Sequence, residues 1–168
     1  ANIRERKGRI FFIGSGGGAG HSSHAVCDFR KLADIECYTP SDNVSELSAR
    51  VNDDGWDTAY SNWLAVSKFS ENDAIFVFSV GGGSKEKNIS VNLVNCISLA
   101  RQKGASIMGV VGRDGGYTKQ SSDLTVVIPT LDEALVTPHT EGWQAVIWHL
   151  LISHPKIAVN ETKWESTK

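Results

Sequence analysis

The chain has 168 residues, 40% hydrophobic and 21% charged, with a formal net charge of −2. That length and balance fit one soluble domain with a full-sized core, 1–168. The near-neutral charge gives no electrostatic reason to expect nucleic acid, and no apolar stretch is long enough to span a membrane. The odd set of cysteines, Cys27, Cys37 and Cys96, lies in apolar-looking segments. It predicts reduced thiols in a cytoplasmic protein, and no Cys-x-x-Cys pair suggests a structural zinc.

The first element is the short apolar run Ile10 to Ile13, rich in Phe and Ile and too short for a helix, which predicts a buried strand. It enters a turn holding Gly14, Gly16, Gly17, Gly18 and Gly20, followed by a helix over 21–33. Such a turn allows close backbone approach to a ligand, and the helix start offers free N–H groups. It reads either as an anion site or as a tight turn in an α/β fold. Residues 35–39 predict a second strand, 44–51 a short helix and 56–69 a longer one, with Ala59, Trp63, Val66 and Phe69 at helical spacing.

Ala74 to Val80 is the most strand-like run and predicts the centre of the sheet. It ends in a second glycine loop, Gly81-Gly82-Gly83-Ser84, whose amides, with the hydroxyls of Ser79 and Ser84, could hold a phosphate. A helix over 90–103 stops at Gly104, a strand over 107–111 ends in Gly112-Arg113-Asp114-Gly115-Gly116, and a last strand covers 124–128. The final helix spans 139–153 and Pro155 ends it; the polar tail, 155–168, is expected to be loosely held. Alternating strands and helices predict a parallel sheet with helices on both faces. Three glycine-rich loops at strand carboxyl ends should then converge on one pocket.

Two residue pairs could carry chemistry. His24 and Asp28 are four apart on a predicted helix, hence on one face, and could grip a metal, form an acid–base pair, or be a plain surface pair. His21, one turn earlier, could join them. Glu141 and His149 lie about two turns apart on the last helix. If the helices meet, His24, Asp28, Glu141 and His149 suit Zn²⁺ or another divalent ion, or proton transfer without metal. A rival reading comes from Gly14-Ser15-Gly16-Gly17-Gly18-Ala19, which satisfies the G-x-G-x-x-A dinucleotide fingerprint, with Glu36 near the end of the second strand. No G-x-S-x-G elbow supports a serine hydrolase.

From about Gly8 to His154 the chain resembles the sugar isomerase (SIS) domain family, and within it the phosphoheptose isomerases. Gly14-Ser15-Gly16-Gly17-Gly18 stands where that family has Gly-Asn-Gly-Gly-Ser, and Asn52-Asp53-Asp54-Gly55-Trp56 resembles its Asn-Asp-aromatic-Gly-aromatic segment. Residues 79–84 stand in for its Ser-Thr-Ser-Gly-Asn-Ser. Gly112 to Gly116 closely matches its Gly-Lys/Arg-Asp-Gly-Gly turn. The resemblance implies a three-layer α/β/α sandwich with a central parallel sheet in flavodoxin-like order, and an aldose–ketose isomerase acting on sedoheptulose 7-phosphate through an enediol. It implies His24 as a metal ligand, Asp28 in the place of a catalytic Glu, Glu141 in the place of a Gln, and His149 as the catalytic His. It also implies substrate contacts from Ser15, Gly16, Gly17, Asp53, Ser79 and the loop Gly81, Gly82, Gly83 and Ser84. Assembly as a homotetramer with sites between subunits is implied too. The chain departs from the pattern in Asp28 and Glu141, in hydroxyls lost at Gly18, Val80 and Gly81, and in about six extra residues within 85–90. It has no counterpart to the long helix that family members place before the first strand.

Overall fold

The computed structural model describes residues 1–163 and 167. Five strands form one all-parallel sheet in the order β2-β1-β3-β4-β5: β1 (Ile10–Gly14), β2 (Cys37–Tyr38), β3 (Ala74–Ser79), β4 (Ser106–Val111) and β5 (Leu124–Val127). Side chains alternate across this sheet. Ile10, Phe12, Phe76, Phe78 and Val110 face the helices α2 (Gly17–Ala33) and α7 (Val136–Ile152). Phe11, Ile13, Ile75, Val77 and Ile107 face α4 (Trp56–Val66) and α5 (Val91–Lys103). Burial on both faces explains why the central strands read as unbroken apolar runs. The α/β/α sandwich expected from the alternation of elements is therefore present, in the flavodoxin-like order.

Local chemistry sets the element ends. Asn43 caps α3 (Val44–Asp54) by accepting the Glu46 N–H at 3.2 Å. Helix α5 stops at Gly104, which takes the left-handed conformation at φ 70°. Two helices were not legible from periodicity. One is α1 (Asn2–Glu5), a single turn that buries Ile3. The other is α6 (Gly116–Ser121), which opens on two glycines. Helix α6 forms because its first amides are claimed by the neighbouring loop: Tyr117 N–H donates to Gly83 O at 2.8 Å and Thr118 N–H to Gly82 O at 2.9 Å. The expected second strand, 35–39, shrinks to Cys37–Tyr38, since only Ile10 and Phe11 offer it partners.

The tail is not uniformly loose. Val159 and Asn160 donate backbone N–H groups to Leu32 O at 2.8 and 3.1 Å, and Arg4 Nη1 donates to Ile157 O at 2.8 Å. Its first residues thus fasten to the end of α2. Cys37 and Cys96 are buried free thiols and Cys27 is exposed; burial pushes the Cys37 thiol up to about 12. Among the described residues, no helix is long and apolar enough to cross a membrane.

Candidate active site

The three glycine-rich loops meet at the carboxyl edge of the sheet, where an open parallel sheet binds ligands. Gly112 N–H donates to Val80 O at 2.9 Å, and Thr118 Oγ1 donates to Gly82 O at 2.8 Å, locking the second loop to the third. Gly82 sits at φ 72°, and a Cβ there would collide with the Gly115 carbonyl oxygen. Gly82→Ala is therefore expected to cost about 2 kcal/mol, read as a thermal midpoint lowered by about 5 °C. An unchanged midpoint would mean that the two loops are not held in register by this contact.

A cleft of about 900 Å³ opens above these loops. Ser15, Ser79, Gly81, Gly83 and Ser84 line it, with Glu141 and Gln144 from α7. Three hydroxyls are already oriented. Ser15 Oγ accepts from Asn92 Nδ2 at 3.1 Å, Ser79 Oγ from Gly82 N–H at 3.0 Å, and Ser84 Oγ from Lys87 N–H at 3.2 Å. Each keeps its own O–H to donate to a ligand. Asp53 lies elsewhere: it is exposed at the end of α3, accepts from Asn52 Nδ2 at 2.8 Å, and is not among the residues lining the cleft.

The residues expected to ligate or transfer protons come together in part. Helices α2 and α7 pack side by side, bringing His24, Asp28 and His149 into one cluster whose donor atoms lie within 4.8 Å of one another. His24 Nε2 is 3.8 Å from Asp28 Oδ2, and the His24 and His149 rings are 5.5 Å apart, edge to face. The buried Trp148 ring backs His24 at 4.7 Å. His149 Nδ1 is 2.8 Å from Ala145 O. With a proton on Nδ1 donated to that carbonyl, the lone pair sits on Nε2. Two imidazoles and one carboxylate with open positions left over suit Zn²⁺ or a similar divalent ion, as in catalytic rather than structural sites.

Glu141 stands apart from this cluster. Its carboxylate lies over Gly17, where a Cβ would be 2.5 Å from the Glu141 carboxyl carbon. It therefore occupies the positive N-terminal end of α2. That placement also removes the dinucleotide reading, because a pyrophosphate would need the same helix end, and the sheet order is not that of the dinucleotide fold.

Two further polar residues of α2 and α7 bear on the site: His21, which the chain alone allowed to join the His24 pair, and Gln144, to which it assigned no role. Burial lowers the His21 imidazole below its ordinary value, Glu141 opposes that shift, and His24 and His149 add to it. His21 thus titrates in the shared field of Glu141 and the histidine cluster. Its helical spacing to His24 was the signal available. Gln144 is fully buried, donates Nε2 to Val110 O at 3.0 Å and, among the described residues, leaves its Oε1 without a partner. A buried acceptor beside a polar cleft is suited to a ligand hydroxyl.

No model of a known protein family matches the chain. The lincomycin biosynthesis protein LmbN of Streptomyces lincolnensis is 31% identical over 154 residues, which cover 86% of the chain and 54% of that protein. The chain thus spans about half of that relative. The phosphoheptose isomerase of Pelobacter propionicus is 30% identical over 155 residues, covering 87% of the chain and 75% of that enzyme. The chain belongs to the phosphoheptose isomerase family. Solved structures agree on the fold of this SIS family. Phosphoheptose isomerase GmhA of Neisseria gonorrhoeae superposes with a TM-score of 0.77 at 19% identity, over 90% of the chain and 78% of its own. A phosphoheptose isomerase from Francisella tularensis superposes with a TM-score of 0.76 at 16% identity, over 89% and 76%.

Proposed function

We propose that this SIS-family chain is an aldose–ketose isomerase of a sugar phosphate, converting sedoheptulose 7-phosphate to D-glycero-D-manno-heptose 7-phosphate. The observation that carries this reading is the meeting of His24, Asp28 and His149 on α2 and α7, the helices that also supply Gly18, Glu141 and Gln144 to the lining of the glycine-loop cleft. Isomerisation through an enediol moves one proton between adjacent carbons. It needs a base to take that proton, an acid to supply the oxygen proton, and polar groups to steady the developing oxyanion. His149 Nε2 is the accessible nitrogen of an oriented ring, so it takes one of these proton-transfer roles. Asp28 or Glu141 takes the other. The Ser15, Ser79 and Ser84 hydroxyls, with the amides of Gly81 and Gly83, bind the sugar phosphate and fix its orientation, while the Gly82 amide is taken by Ser79 Oγ and Glu141 covers Gly17.

Zn²⁺ or another divalent ion held by His24 and Asp28 would polarise the substrate oxygens, leaving His149 Nε2 free for proton transfer. Self-association is supported by Trp143, Val146 and Leu150, which form an exposed apolar stripe on α7 at helical spacing, next to Glu141 and His149; a homotetramer is the assembly that the family resemblance implies. The reduced thiols support a cytoplasmic setting.

The lost hydroxyls at Gly18, Val80 and Gly81 favour a second reading, a non-catalytic module that binds a sugar phosphate. Turnover of sedoheptulose 7-phosphate by purified protein, with metal content measured on the same sample, separates the two. We expect turnover, a bound divalent ion, and loss of activity on chelation that zinc restores. Saturable binding of the sugar phosphate with no product at any metal concentration would select the binding module instead.

A further inference from the structure

The extra residues that follow the second glycine loop form a closed hairpin. Ser84 and Ile89 exchange backbone hydrogen bonds in both directions, at 2.9 and 3.1 Å. The Ser84 hydroxyl also accepts the Lys87 N–H. The four residues between are exposed, yet Lys85 and Lys87 both line the cleft. Among the described residues neither lysine has a carboxylate within ion-pair distance. Lys85 is nonetheless positioned, because its Nζ lies 4.4 Å from the centre of the Tyr117 ring on α6. The hairpin therefore holds a cation over the α6 end of the cleft, while Glu141 marks the α2 end.

We propose that this hairpin is an electrostatic clamp for the phosphate of the substrate, with Lys85 as the residue that contacts it and Lys87 adding charge. The proposal rests on the sugar-phosphate reading above. Its physical logic is a substitution of one kind of donor for another. Val80 and Gly81 have no hydroxyl to offer a phosphate, and an ammonium makes a charge-assisted contact stronger than a neutral hydroxyl does. Three carboxylates, Glu86, Asp114 and Glu141, line the same cleft, and Arg113 reaches to 4.0 Å from Glu133. The cleft as a whole is thus not strongly cationic. Recognition depends on where Lys85 stands rather than on net charge. This predicts selectivity for a ligand whose anionic group lies at one end and whose reacting carbons lie at the other, near Glu141 and the histidines.

Tyr117 reports on the clamp. Its phenol is held down to about 8, first by the adjacent Lys85 ammonium, then by Ser98 of α5, with burial opposing and Ser121 of α6 assisting. A phosphate that draws Lys85 away removes the leading cause, so the phenol should ionise at higher pH when phosphate is bound.

The test uses inorganic phosphate as the probe, on the full chain. Calorimetry with Lys85→Ala should show phosphate binding weakened ten- to a hundredfold, and the KM for sedoheptulose 7-phosphate should rise by a similar factor. Lys85→Arg should recover most of both. An ultraviolet titration should show a tyrosine step near pH 8 that moves upward with phosphate and disappears in Tyr117→Phe. Since Lys85 is exposed, its replacement should leave the melting temperature within a degree or two. Wild-type phosphate affinity in Lys85→Ala, or a tyrosine step indifferent to phosphate, would overturn the clamp. The two readings fail separately. Lys85-dependent phosphate binding without turnover would remove the isomerase assignment and keep the clamp. Turnover with a KM untouched by Lys85→Ala would do the reverse.

Discussion

Replacing His149 by alanine is expected to lower turnover of sedoheptulose 7-phosphate about a thousandfold while leaving the chain folded. Removing a positioned acid or base commonly costs two to four orders of magnitude. His149 qualifies on geometry: Nδ1 is fixed by Ala145 O, and the ring faces His24. The fold should survive because the ring is exposed, and the core role at this level of α7 belongs to Trp148, which is 1% exposed. Stability should change by less than about 1 kcal/mol. Steady-state kinetics and circular dichroism on the same preparation check both halves. His149→Gln, which keeps a neutral polar side chain but cannot carry a proton at neutral pH, should be equally inactive. Turnover within tenfold of wild type in either variant would remove His149 from the chemistry.

The second large effect lies at the opposite edge of the sheet. Asp73→Ala is expected to destabilise the protein by about 3–5 kcal/mol, lowering the melting temperature by about 10 °C or more. The Asp73 side chain is 3% exposed. Its carboxylate accepts from Arg9 N, Nε and Nη2 at 2.9, 3.1 and 2.8 Å, and from Ser70 N and Oγ at 2.9 and 3.2 Å. Arg9 in turn donates to Ser67 O and Lys68 O. One carboxylate therefore ties the entry of β1 to the turn before β3, and its removal leaves a half-buried guanidinium without its counter-charge.

This contribution should depend on pH. Burial alone would push the Asp73 carboxyl up, but the hydrogen bonds and charge of Arg9 and the Ser70 N–H outweigh it and hold the group below the usual carboxylate range. The folded chain thus binds this proton more weakly than the unfolded chain. The stabilisation is complete above about pH 4 and is lost as the pH falls through the lower, folded-state value. Melting curves of wild type and Asp73→Ala at pH 7 and near pH 3 should show the gap between them shrinking in acid. A gap of the same size at both values would mean that packing, not the ion pair, sets the cost. Because this network is remote from the cleft, the folded variant should keep its activity.

Much of the architecture was legible because each central strand buries both faces, so Ile10 to Ile13 and Ala74 to Val80 stand out from their surroundings as apolar runs. A glycine stop placed the end of α5 for a similarly local reason. Helix α6 was hidden because its amides are satisfied by Gly82 and Gly83, more than thirty residues away in the chain. At the site, the face shared by His24 and Asp28 follows from helical geometry alone. Their meeting with His149 does not. Nor does the place of Glu141: an eight-residue separation puts it near His149 along α7, but the open space over Gly17 draws its carboxylate to the start of α2. Asp53 has the motif position expected of a substrate contact, yet within one chain it faces solvent at the end of α3.

The chain by itself determined the strands, most of the helices, the three glycine loops at strand carboxyl ends and the histidine–aspartate face of α2. These depend on interactions between neighbours in sequence, or on the burial preference of single residues. Only the tertiary structure decided that α7 brings His149 to that face while holding Glu141 apart, and that the 84–89 hairpin sets Lys85 against Tyr117 over the cleft. Those contacts join segments far apart in the chain. Their geometry follows from how helices pack across a shared sheet, which no local pattern of residues encodes.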